Sequence, residues 1–485
     1  MLTSKKFINH APQMTVLSEN DRKYIYNAAL EILQRTGVRI SHDAALTRLS
    51  NAGVTVKGEV AFIPPNLVEE GLVTAPETVL IYDRHGELAM RLGGTNNYFG
   101  TGSDTPNTLT LDGGHRKTCR KDIQEVGIVV DELDNLDFIM SLGLIYDESV
   151  EVTDLYQFRE MLFNTTKPIV FTSHDIRGNK DIFEMASIAV NGKDQLRQKP
   201  FIIHYVEPTT PLSHSKEAID KLIYQAEEKM PIIYTPAPSA GATGPMTFAG
   251  TLALSVAESL GGVALAQLVN PGTPVITGGV CSLLDMKTSS FLYGSPETSL
   301  LHAALSEMSQ FLELPMFGTA GCSDSKLPDS QAALEATFSI ATQMLSGANL
   351  IHDIGYLASG MTASLEQIVI SNEIISMVKR IMRGVDTTEL QKIADVIDGV
   401  GPRGNYVSHP DTVRKFKTEM WEPELLDRSN FDSWVQAGSR LMQDRVNQKA
   451  REILSTHEAE QLTQRQQSEI DEIIESERSN REVRY

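Results

Sequence analysis

Tyrosines, phenylalanines, histidines and carboxylates recur at one kind of position in this sequence, the ends of short apolar runs. Tyr98, Phe99, Ser103 and Asp104 stand at the first run, and Ser173, His174 and Asp175 follow the third. His204, Tyr205 and Glu207 mark the fourth, Tyr234 and Thr235 the fifth, and Thr277 and Cys281 the sixth. Phe317, Thr319, Cys322 and Asp324 belong to the seventh, and His352, Asp353 and Tyr356 to the eighth. The whole chain is only 6% aromatic, so this concentration carries information. Ring faces attract a cation that offers no hydrogen-bond donors, and a carboxylate such as Glu207 or Asp104 completes the charge balance. The set therefore suits a quaternary ammonium ligand. For any single ring the alternative is plain core filling. No lysine ends a run: Lys167 begins the third, and Lys287 and Lys326 lie in loops. A Schiff-base aldolase needs a desolvated lysine inside the fold, so that chemistry is disfavoured.

Two other chemistries use residues of the same kind. Zinc favours thiolate and imidazole, and Cys281 and Cys322 follow adjacent runs, with His302 and His352 as candidate companions. No C-x-x-C or H-E-x-x-H occurs, and a free cysteine is often a small buried hydrophobe, so no metal is expected. Phosphate is the other rival. Gly318, Gly321, Gly355 and Gly360, with Thr362, fall where barrels often bind it, but no P-loop or G-x-G-x-x-G follows a strand.

The elements that must position these residues follow from the rhythm of the chain. Candidate strands lie at 97–102, 136–145, 168–173, 200–206, 231–236, 274–279, 315–320 and 349–355, each followed by a helical stretch. Pro168, Pro200, Pro231, Pro274 and Pro315 open five of them, where the ladder needs no donor. Ser215, Ser295 and Asp329 are helix-start signals. Eight strand-then-helix units in a row predict an α/β fold, a closed (β/α)8 TIM barrel over 97–385, with a doubly wound open sheet as the rival. Residues 1–96 read as an accessory cap of helices and hairpins, with Ser18 capping a helix over 19–34 and Ser41 starting another that ends near Gly53. Residues 386–485 read as a helical extension. In it, 421–434 packs on the barrel and the charged tail runs as a solvated helix; a dimerisation arm using Val446, Ile453, Leu462 and Ile470 is the alternative.

The chain has 485 residues with 43 basic against 63 acidic ones, a formal charge of −20. Nucleic-acid binding and adhesion to an anionic membrane both need basic patches, so neither is expected. Three scattered cysteines cannot form a disulfide framework and suit a reducing compartment. The most apolar stretch, 251–269, is interrupted by Ser255, Glu258, Ser259 and Gln267 and reads as a buried helix. With no apolar h-region at the N-terminus, a cytoplasmic location is expected.

Five stretches resemble the trimethylamine methyltransferase family: 97–107 (NYFGTGSDTPN), 207–215 (EPTTPLSHS), 239–279 (SAGATGPMTFAG…PVITGG), 324–335 (DSKLPDSQAALE) and 353–374 (DIGYLASGMTASLEQIVISNEI). The resemblance implies a (β/α)8 barrel and methyl transfer to the cobalt of a separate corrinoid protein. Trimethylamine-specific members carry pyrrolysine, and this chain has none, so it resembles the branch that uses glycine betaine, proline betaine or carnitine. A quaternary nitrogen leaves as a neutral amine, so no general acid is required and no catalytic residue is expected. The enzyme must position the methyl group and exclude water. The resemblance then implies a quaternary nitrogen among Tyr98, Phe99, Tyr205, Tyr234, Phe317 and Tyr356, with Asp104 and Glu207 near. His352, Thr277, Arg177 or backbone N–H groups would meet the substrate carboxylate. Glycine-rich loops bearing Gly241, Gly244, Gly321, Gly355 and Gly360 would face the corrinoid. No cofactor would be held tightly, cobalamin being supplied by the partner, and a homo-oligomer is expected.

Overall fold

The structure, a computed structural model, describes residues 12–387 and 389–482. Seven strands are parallel: β1 Tyr98–Thr101, β3 Ile169–Phe171, β4 Ile202–Val206, β5 Ile232–Tyr234, β6 Val275–Gly278, β7 Met316–Thr319 and β8 Leu350–Ile354. They pair in the order β1-β8-β7-β6-β5-β4-β3. The predicted second strand is reduced to residues 138–139, here β2, which close the ring through parallel bridges Phe138 to Gly100 and Ile139 to Ile169. The barrel reading holds, and the open-sheet rival falls because the two edges meet through β2. The outer layer is α1 Arg120–Glu132, α2 Thr153–Asn164, α3 Ile176–Ala189, α4 Lys216–Glu228, α5 Phe248–Val269, α6 Pro296–Phe311, α7 Ser330–Ser346 and α8 Leu365–Met382. The three predicted start signals act as N-caps: Ser215 accepts from Ala218 N, Ser295 from Thr298 N, and Asp329 from Gln331 and Ala332 N.

Alternate residues of a strand face opposite sides, and in this barrel both sides are dry. Val170, Ile203, Ile233, Ile276, Phe317 and Leu350 point inward and form one cluster. Their neighbours Ile169, Ile202, Ile232, Val275, Met316 and Ile351 belong to the layer under the helices. The hairpin Val79–Tyr82/Leu88–Leu92 plugs the N-terminal end: Val79, Ile81, Met90 and Leu92 join the inner cluster, and Tyr82 N donates to Pro200 O just before β4. The C-terminal end is left open for chemistry.

In the N-terminal region Ser18 caps the helix Glu19–Glu31 with a reciprocal Asp21 bond, and a π turn, Ile32–Thr36, carries it to Gly37. The next helix, Asp43–Asn51, is capped by His42 in place of the expected Ser41, its ring accepting from Ala45 N. Strand Val38–Ile40 pairs with Ser213–His214 beyond β4, tying this region to the barrel.

Helix α5 is long and apolar enough to cross a membrane by length and composition, yet its most apolar stretch is 89% buried in the fold. It lies so close to β5 that a Cβ on Gly262 would enter the Tyr234 ring. Gly262→Ala is therefore expected to destabilise the protein by about 1–3 kcal/mol through overpacking, read as a lower denaturation midpoint. A midpoint equal to the parent's would refute this packing.

The tail differs from the solvated helix expected. Helix Met442–Thr456 buries Val446, Ala450 and Ile453, and Gln464–Glu482 buries Ile470 and Ile474 completely. Between α8 and these helices, Trp421 donates to Ser376 Oγ and Leu425 is buried, so the first half of 421–434 packs as expected. Phe431, by contrast, is 74% exposed. Helix Leu390–Val400 leaves Leu390, Ile393 and Ile397 exposed along one side.

Candidate active site

Inward parity carries residues of four strands to the open end. From β4, Ile203 faces in, and two-residue steps put Tyr205 and then Glu207 on the same side. From β5 and β7 the inward positions nearest the mouth are Thr235 and Thr319. From β8 it is His352, stacked on inward-facing Phe317 with ring centroids 3.9 Å apart. Tyr205 lies 4.9 Å from the same Phe317 ring and 6.1 Å from His352. Asp353 would face outward by alternation. Its backbone instead adopts φ 77°, and the break in periodicity brings it beside His352, Oδ1 to Nε2 3.1 Å. Asp104 likewise holds φ 62°, a conformation Asp tolerates better than most residues, and accepts from Gln157 Nε2 at 3.2 Å.

Asp104, Glu207 and Asp353 thus share one opening. Glu207 keeps accessible surface while enclosed by protein, as expected of a group on the wall of an interior recess. Burial pushes the carboxyls of Asp104 and Glu207 above, and that of Asp353 well above, the ordinary range; Asp104 raises Glu207 further, and Glu207 raises Asp353. The phenols of Tyr205, Tyr293 and Tyr356 are held protonated by burial, and Asp353 adds to each of the three. The Tyr205 hydroxyl donates to Glu207. Asp353 Oδ2, Thr319 Oγ1 and Thr235 Oγ1 are buried with no hydrogen-bond partner. These rings and carboxylates can hold a cation without a proton to give, whereas an anion would face Asp104 and Glu207.

His352 Nδ1 lies 2.8 Å from the Gly318 carbonyl, which can only accept, so Nδ1 carries the proton. Burial pushes the imidazole down to about 3, so the ring is neutral and Nε2 is an acceptor. The contact with Asp353 is then a hydrogen bond donated by the protonated carboxyl. Both nitrogens of His352 are engaged within the protein.

Other expected residues are placed elsewhere. Tyr98 begins β1 at the plugged end and accepts from Arg91 N. Phe99 is fully buried under the helices. Tyr234 points outward, stacked on His214 with its hydroxyl 2.5 Å from His214 Nδ1. Thr277 also faces outward, 3.3 Å from Pro315 O. Tyr356 does reach the mouth, but its hydroxyl is engaged by Ser103, accepting from N at 2.6 Å and donating to O. Among the glycines, Gly241, Gly244 and Gly360 have accessible surface, while Gly321 and Gly355 are buried, their missing Cβ positions filled by Ile354 and by Ile368 with Leu142. Cys281 is buried, its thiol pushed up to about 12, and Cys322 also rises on burial. Among the described residues no group of three His, Cys, Asp or Glu is arranged to hold a metal.

Tyr293 was missed by sequence reasoning. Asp324 places it, accepting from Tyr293 N at 3.0 Å, Gly294 N at 3.1 Å and Ser359 Oγ at 2.8 Å, so the loops after β6, β7 and β8 are tied together. Glu335 holds Asp324 in turn, accepting from its N at 2.8 Å. Asp324 and Glu335 lie in one stretch of the sequence, 324–335, but nothing there pointed to Tyr293. Around the mouth these loops and the one after β5 expose Met246, Met286, Phe291, Leu327 and Met361, an apolar rim.

The fold is a (β/α)8 barrel whose open end gathers rings and carboxyl groups. The crystal structure of the Methanosarcina barkeri monomethylamine methyltransferase (MtmB) matches with a TM-score of 0.52, covering 91% of this chain and 88% of that one at 12% identity, which speaks to the fold alone. The chain belongs to the trimethylamine methyltransferase (MTTB) family, whose profile matches residues 1–482. It is 31% identical over 463 residues to the trimethylamine methyltransferase MttB of Desulfitobacterium hafniense (strain DSM 10664 / DCB-2), covering 94% of this chain and 93% of the relative. It is 30% identical over 451 residues to the glycine betaine methyltransferase of Desulfitobacterium hafniense (strain Y51), covering 92% and 93%.

Proposed function

We propose that this methyltransferase moves an N-methyl group from a quaternary amine to the Co(I) of a cognate corrinoid protein. The observation that carries the reading is the mouth itself: Tyr205, Tyr293 and Phe317 beside Asp104, Glu207 and Asp353. Rings and carboxylates hold an ammonium that has no N–H to donate. The names of the two relatives, one acting on trimethylamine and one on glycine betaine, support methylated-amine chemistry. Methyl transfer needs no proton, since the C–N electron pair leaves with a neutral tertiary amine. The protein's own task is to aim the methyl group out of the mouth and keep water from it. The apolar rim of Met246, Met286, Phe291, Leu327 and Met361 suits the approach of a large partner there, with Gly241, Gly244 and Gly360 in the same loops. The cobalamin travels with the partner and no cofactor is held tightly. The acidic chain acts in the cytoplasm, and the exposed apolar side of Leu390–Val400 supports a homo-oligomer.

The test is direct. The chain, a Co(I) corrinoid protein and a panel of quaternary amines should yield a methyl-Co(III) spectrum with at least one of them; silence across the panel removes the reading.

A pH dependence follows. Because the carboxyls titrate above their ordinary range, they are protonated as pH falls, and a neutral carboxyl holds a cation poorly. Affinity for a quaternary amine should therefore weaken from neutral to acid pH, with titration calorimetry as the readout. The groups that face these carboxyls are Tyr205, Tyr293, Cys322, Asp324, His174, His352 and Tyr356; the phenols and the thiol stay neutral on acidification, and burial keeps the His352 ring neutral. An affinity constant across that range would contradict it.

A further inference from the structure

Three carboxyl groups meet at the mouth, and among the described residues no ammonium or guanidinium pairs with them. Asp104 is met by Gln157, Glu207 by the Tyr205 hydroxyl, and Asp353 by His352. Among the described residues the one ion-pair contact of the three is that of Asp353 with His352, and that ring is neutral. The basic groups nearest in sequence are engaged elsewhere. Arg177 pairs with Asp175 at 2.6 Å on the exposed start of α3, and Lys326 Nζ donates to Asp324 O at 2.7 Å on the surface. Thr277 faces the helices. The side-chain donors foreseen for a substrate carboxylate are therefore all outside the recess or already used. A betaine brought here would set its own carboxylate against Asp104 and Glu207 and find no cationic side chain to meet it. Like charges so juxtaposed oppose binding strongly.

Beneath these charges lie two buried threonines, Thr235 and Thr319, whose hydroxyls are covered by the fold.

We propose that the ligand of this mouth is a quaternary ammonium cation with no carboxylate of its own, a tetraalkylammonium or a hydroxyl-bearing ammonium of the choline kind, and not a betaine zwitterion. The inference rests on the methyl-transfer reading for its chemistry, but not for its binding order. The transfer balances for such a donor: the cobalt electron pair forms the new bond to carbon, the C–N bond breaks, and its pair stays on nitrogen as a neutral tertiary amine. Loss of the positive charge also releases the product, since the carboxylates no longer hold it.

The experiment is calorimetric titration of the full chain with tetramethylammonium, choline, glycine betaine, proline betaine and carnitine, followed by methyl transfer from each to a Co(I) corrinoid protein. Tetramethylammonium or choline should bind about 10²-fold more tightly than any of the three betaines, a discrimination of the size that like-charge repulsion supplies. Glu207→Gln and Asp104→Asn should each compress that ratio about tenfold by weakening the cations and not the betaines. A betaine that binds wild-type protein as tightly as the carboxylate-free cations overturns the inference whatever the variants do, and leaves the transfer reading intact if that betaine is demethylated. The predicted binding order without methyl transfer from any of the five has the opposite meaning: the ligand class stands and the transfer reading falls.

Discussion

Asp353→Asn should raise the melting temperature of the protein and, in the same variant, leave KM for the quaternary amine and kcat within a few fold of wild type. Stability responds and binding does not, because Asp353 is 2% exposed and holds its proton against His352. Burial raises its carboxyl well above the usual 3.8, so the folded state holds a proton that the unfolded chain releases. The sign follows from linkage. Stability falls as pH rises from the unfolded value to the folded one, and the deficit is complete above the folded value. Asparagine removes the deficit and can still donate to His352 Nε2 through its amide. The gain in melting temperature should therefore shrink as the solution is made acid.

The steadiness of KM has a separate cause. At an effective dielectric of about 20, a charge pair about 5 Å apart is worth about 3 kcal/mol, about 10² in affinity. That attraction needs an ionised carboxylate, and Asp353 holds its proton against His352 Nε2, so asparagine removes none of it. Steady-state kinetics at two pH values and a thermal melt decide it. A variant that melts lower, or one whose KM rises about 10²-fold, would show that Asp353 is ionised in the folded protein.

Truncation after Gln448 should abolish cooperative folding. The cut removes Ile453, Ile470 and Ile474, each at most 2% exposed, together with Leu462. Burying an aliphatic side chain of this size is worth about 1.5–3 kcal/mol, so four account for about 6–12 kcal/mol, close to the whole net stability of a typical domain. Polar ties go with them: His457 Nε2 to Asp131 at 2.9 Å, Arg159 to Asp471 at 2.5 Å, and the Arg84 bond to Glu460 O. The expected result is insoluble protein or a melt without a cooperative transition. A soluble product with parental melting temperature and full transfer activity would show that the tail is dispensable.

The tail shows why a reader of the sequence goes astray. Its apolar residues are sparse among many charges, so the pattern resembles a solvated helix. Yet the spacing from Ile470 to Ile474 needs only a narrow stripe to dock against α2 and α3, and long charged side chains can lie over the rest. The barrel itself was legible because eight apolar runs alternate with helices, and Pro and capping residues punctuate them. The parity of each strand was not legible. In parallel strands covered on both faces, inward and outward positions are equally apolar, so Phe99, Tyr234 and Thr277 looked as eligible as Phe317, Tyr205 and Glu207. One fixed point, such as Ile203 inside, settles parity for Tyr205 and Glu207 together, but the sequence contains no such point.

The residue types were thus settled by the chain alone: aromatic and acidic strand ends, no lysine among them, eight repeating units and the stretches shared with the trimethylamine methyltransferase family. Which of those residues meet was decided by the tertiary structure. Two left-handed residues, Asp104 and Asp353, break the alternation that would have hidden one of them, and Asp324 draws the distant Tyr293 over the same opening. Local sequence sets what a residue can do, through its charge, its ring or its backbone freedom. The convergence of three carboxylates without a balancing cation is a property of closure, because only a closed barrel brings the ends of β1, β4 and β8 to one place.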